Sequence, residues 1–152
     1  MAMTPTLDPA LFTAPFTHTT DFTRLADTCE CFAEALVECD DPPLKMALCG
    51  RLFACLALLQ PTLLDPVPAH LVDSLTVTEL PASMPVFEPE ADQMAEWCQA
   101  LTHLLMSGSL APEQERAFGS LLYDLVRYFS ETLNAPRWLR TPQGIVSLED
   151  FH

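Results

Sequence analysis

Apolar residues recur every three or four positions in four proline-free stretches of the chain, the period of helices that bury one face. The first stretch runs from Thr20, placed to cap it, to Cys39, with Phe22, Leu25, Cys29, Phe32 and Leu36 on one side. The second follows Pro43, a first-turn position that tolerates proline, and reaches Gln60 through Leu44, Leu48, Leu52, Phe53, Leu56 and Leu59. It is apolar on most sides and is therefore predicted to lie centrally. The third starts near Pro89, uses Met94, Trp97, Cys98, Leu101, Leu104 and Leu105, and stops at Gly108 as a C-terminal cap. The fourth begins at Pro112 and carries Phe118, Leu121, Leu122, Leu125, Val126 and Phe129 before Asn134 and Pro136.

These elements predict an all-α fold, four main helices arranged as two antiparallel helical hairpins and joined by a long proline-containing connector over residues 61–88. One helical domain spanning 1–152 is expected, with an extended N-terminal arm over 1–19 and a tail over 135–152 that forms a turn and an extended end. Within the connector, residues 70–75 are expected to form a short helix and residues 75–78 alternate like an edge strand. Val67, Leu71, Val77 and Val86 are expected to pack on the bundle, because a structureless loop of that length is uncommon in a compact domain. Trp138 and Phe151 are expected to dock, since termini with large apolar side chains are usually tied down.

A shift of 69 residues aligns Ala26, Cys29, Leu36, Pro43, Gly50, Leu52 and Leu56 with Ala95, Cys98, Leu105, Pro112, Gly119, Leu121 and Leu125. Gly50 and Gly119 each cost about 1 kcal/mol inside a helix, which a close approach of the second and fourth helices would offset.

Charge adds a second pattern to the first helix. Seven carboxylates and one arginine lie between Asp21 and Asp41, and Asp27, Glu30, Glu34, Glu38 and Asp41 follow one another at 3, 4, 4 and 3 residues. That spacing draws an acidic stripe opposite the apolar residues. Stacked carboxylates repel by a few tenths of a kcal/mol per pair, a cost that a basic partner would remove. The five acids are therefore the candidate interaction site, and a solubilising coat for a leucine-rich chain is the competing use. The net charge of −14 opposes direct contact with nucleic acid or an anionic membrane, where cations must replace counterions on phosphate.

Catalytic and metal chemistry find little support in the spacing of residues. Cys29 and Cys31 point to different sides of a helix and cannot share a tetrahedral zinc, no CxxC pair occurs, and the two Glu-x-x-His pairs that a ferritin-like carboxylate site needs are not present. No G-x-S-x-G elbow is present, and four glycines spread at 50, 108, 119 and 144 build no phosphate loop. His70 and His103 read as surface histidines. No catalytic residue, metal ligand or cofactor is assigned. The six cysteines read as reduced thiols in a cytoplasmic protein, with no secretory leader in the first residues.

The function expected is thus a non-catalytic, acidic protein-interaction module: a chaperone, adaptor or inhibitor that covers a protein partner with a basic surface. A homo-oligomer is compatible with this, while nucleic acid and membrane are not expected as direct partners. A DNA mimic acting on a nucleic-acid-binding protein is one alternative. A small enzyme or ligand-binding protein with its site between the hairpins is another. In size and acidity the chain is similar to small bacterial secretion chaperones, but the strand pairs of their common mixed α/β type are not evident, so no family membership follows.

Overall fold

The computed structural model describes residues 9–13 and 15–151. The chain is mostly helical, with five α-helices and one two-stranded sheet among the described residues. It divides into two compact units, residues 1–80 and 81–152, and the boundary falls inside the proline-containing connector.

The first unit is built on α2 (Phe22–Glu38) and α3 (Pro42–Leu59), which pack against each other. Asp21, not Thr20, caps α2: its carboxylate accepts the Arg24 amide at 3.0 Å. Three residues after Glu38 the same device recurs, as Asp41 accepts the Leu44 amide at 3.0 Å while Pro42 and Pro43 occupy the first turn of α3. Leu25, Phe32, Cys39, Leu48 and Cys55 form the buried core between the two helices. Each large apolar side chain buried there contributes about 1.5–3 kcal/mol.

The expected extended arm instead contains α1 (Pro9–Thr13), whose Leu11 and Phe12 pack against that core together with Phe16. The part of the expected arm over residues 1–8 lies outside the described residues. Phe16 meets Phe32 edge to face, with ring centroids 6.1 Å apart. Arg51, the charge in the middle of α3, turns inward, and its guanidinium lies 4.5 Å from the Phe16 centroid and 5.5 Å from that of Phe32. Two aromatic faces thus accommodate a cation in an otherwise apolar helix.

The connector departs from expectation in detail. It forms 3-10 turns at Gln60–Leu64, Ala69–Leu71 and Asp73–Leu75, while residues 75–78 pair with no strand. Of the four side chains expected to pack, Leu71 is buried, whereas Val67, Val77 and Val86 remain more than half exposed.

In the second unit, α4 (Ala91–Met106) packs on α5 (Pro112–Asn134). Gly108 ends the first of these with a φ of +66°, a conformation that glycine adopts without a steric cost. Phe87, just before α4, stacks on Trp97 at 6.1 Å. The tail is a β-hairpin: β1 (Trp138–Thr141) pairs antiparallel with β2 (Gly144–Ser147), Trp138 opposite Ser147 and Thr141 opposite Gly144. Trp138, expected to dock, is 66% exposed.

Gly50 lies inside α3 and Gly119 inside α5. A methyl group added at Gly50 or Gly119 would meet nothing within 4 Å. The element starts follow the repeat, α2 and α4 beginning 69 residues apart and α3 and α5 70 apart.

Candidate functional site

The candidate acids separate into two groups once the helix ends are known. Asp27, Glu30, Glu34 and Glu38 are exposed on α2, on the side opposite Leu25 and Phe32. Neighbours three or four residues apart on a helix lie about 5–6 Å apart at Cβ, so these four form a continuous file. Among the described residues none of them makes an ion pair; the pair that is formed, Arg116 to Glu113 at 3.9 Å, lies on α5. Asp41 does not extend the file. The helix ends at Glu38, Cys39 turns inward, and the Asp41 carboxylate is used in capping α3. Asp21 is likewise a cap, and the Thr23 hydroxyl and the Arg24 amide hold its carboxyl below its usual value.

The sequence pattern missed a second surface, the outward side of α3. Leu48 and Cys55 are buried against α2, with Leu52 and Leu59 beside them, and this uses one side of a helix that is apolar all round. Met46 and Phe53 are left 76% and 75% exposed, with Cys49 and Leu56 between and beyond them. Positions 46, 49, 53 and 56 fall on one stripe, and Leu63 and Leu64 prolong the exposed apolar surface into the 3-10 turn. The run Pro42–Leu64 is long and apolar enough to cross a membrane by length and composition alone, and little of it is buried. Central burial of α3 was the natural inference from its composition. One amphipathic neighbour is too narrow to enclose it.

The thiols follow burial. Cys31 on α2 and Cys49 on α3 are exposed, whereas Cys39 and Cys55 are buried, and all six cysteines are free. Cys55 donates to the Leu25 carbonyl at 3.4 Å. Burial, and then the adjacent Cys29 thiol, push the Cys55 thiol up to about 11, which suits a structural group and not a nucleophile.

Among the described residues no three His, Cys, Asp or Glu side chains converge to hold a metal ion. An open depression of about 470 Å³ lies where α5 meets β1, lined by Leu133, Asn134, Ala135, Pro136, Arg137 and Trp138. Its one charged group, the Arg137 guanidinium, donates to the Leu133 carbonyl at 3.5 Å, and no carboxylate, thiol or imidazole lines it. No protein-family model, curated protein or solved structure matches the chain.

Proposed function

We propose that the protein is a non-catalytic interaction module that covers a protein partner with a basic surface. One observation carries this function: a single helix pair exposes an unpaired file of four carboxylates on α2 and an uncharged apolar stripe on α3. A partner that takes up both would relieve carboxylate repulsion and remove apolar surface from water at the same time. The fold that would present these surfaces is a pair of antiparallel helical hairpins, α2 with α3 and α4 with α5. Links of three and five residues between their helices support that arrangement. The reducing cytoplasm is the proposed location, where exposed thiols such as Cys31 and Cys49 persist.

A DNA mimic is less well supported. It needs carboxylates over a long surface, and the file from Asp27 to Glu38 extends about 17 Å. The deciding experiment is purification from the native cell, followed by mass spectrometry of the intact complex, for the wild type and for E30Q/E34Q/E38Q. A basic protein partner should accompany the wild type and be largely lost from the variant. Equal recovery from both would leave the α2 acids with a solvating role only.

A further inference from the structure

We infer that the outward stripe of α3 is the docking site for a basic amphipathic helix of the partner, a specification that rests on the interaction function proposed above. Met46, Cys49, Phe53 and Leu56 supply the apolar contact, at the i, i+3, i+7 and i+10 spacing that another helix can match. No charged residue interrupts that stripe. Arg51 is turned inward over Phe16 and Phe32, and Lys45 stands on the flank.

The ends of the stripe decide what can cover it. Asp40 and Asp41 are exposed just before α3, and Asp65 is exposed just after Leu64, so carboxylates bracket an apolar surface roughly 37 Å long. Lys45 is outnumbered at the first end. A second copy of the chain fits poorly in either orientation. Laid antiparallel, Asp40 and Asp41 of one copy would face Asp65 of the other; laid parallel, like ends would meet. Both place acids on acids, between molecules that each carry a net charge of −14. An anionic lipid surface meets the same repulsion. A helix with apolar residues along one side and lysine or arginine toward its ends satisfies both the stripe and its brackets.

The site can be tested with the full chain and a synthetic helix of leucine and lysine about 18 residues long, its leucines at i, i+3, i+4 and i+7. A peptide of equal composition with scattered leucines serves as the control. M46S/F53S removes exposed apolar surface without changing the charge, and circular dichroism checks that it stays folded. By fluorescence anisotropy the amphipathic peptide should bind the wild type more tightly than the scattered one, and M46S/F53S should weaken it about tenfold or more. Equal binding to wild type and M46S/F53S, with loss in E30Q/E34Q/E38Q, would overturn the α3 site while leaving the acidic-face function intact. No binding to the wild type would also overturn the site, and recovery of the native partner would still judge the function separately. Two other results would assign the stripe elsewhere and overturn the proposal: neutral phosphatidylcholine vesicles that bind the wild type but not M46S/F53S, or sedimentation of the wild type as a dimer and M46S/F53S as a monomer.

Discussion

Cys55 has no exposed surface, and its thiol is held neutral by burial and by the neighbouring Cys29 thiol. Its titration is raised from the usual 9.0 to about 11, so the unfolded chain loses this proton before the folded one does. The stability that comes from keeping the thiol neutral is complete below pH 9.0 and is lost as pH rises through about 11. Urea unfolding of the wild type should therefore weaken across that interval more steeply than unfolding of Cys55→Ala, which has no thiol to titrate. Parallel curves for the two proteins would show that Cys55 does not carry the alkaline loss. Selective reaction distinguishes the other thiols, because a maleimide meets Cys31 and Cys49 at the surface while Cys39 and Cys55 are enclosed.

At the level of elements, caps and core contribute unequally to α2 and α3, and substitution separates them. Asp41→Ala removes the side-chain acceptor for the Leu44 amide and should cost about 1 kcal/mol of stability. Phe32→Ala empties a fully buried site against Leu25, Leu48 and Phe16 and should cost about 3–5 kcal/mol, measured by chemical denaturation. A cost for Asp41→Ala as large as that for Phe32→Ala would mean that the cap holds the helix pair together as much as the core does. The four long helices were legible in the sequence because apolar residues keep a helical period through each of them, and because proline stands at or just before the start of α3, α4 and α5. The stripe was legible as far as Glu38, but the spacing to Asp41 continues that period across a break which Cys39 and Asp41 make by leaving the helical conformation. The β-hairpin was not legible, since each strand has four residues and the Pro142-Gln143 turn lacks the Asn-Gly or Asp-Gly signature. The repeat fixed where helices begin and, at Leu25 and Met94, one matching buried position. It did not carry the core further: Leu48 and Cys55 correspond to Ala117 and Asp124, both exposed.

For the whole molecule, the exposed stripe of α3 and the net charge of −14 act in opposite directions on self-association. Met46, Phe53 and Leu63 offer apolar surface to any neighbouring copy, while uncompensated carboxylates keep copies apart near neutral pH. As pH falls toward the isoelectric point of about 4.3, that repulsion disappears and the apolar surface remains. Light scattering should rise steeply there for the wild type while far-ultraviolet circular dichroism still reports helix. Salt should have a similar but weaker effect at neutral pH, since about 1 M salt shortens the screening length to about 3 Å. M46S/F53S has the same ionisable groups and the same isoelectric point, so any lower scattering at equal pH comes from the stripe alone. If both proteins associate alike, loss of charge is sufficient and α3 contributes nothing. If only the wild type associates, acidity is what keeps the stripe available at neutral pH, free of other copies and open to a cationic partner.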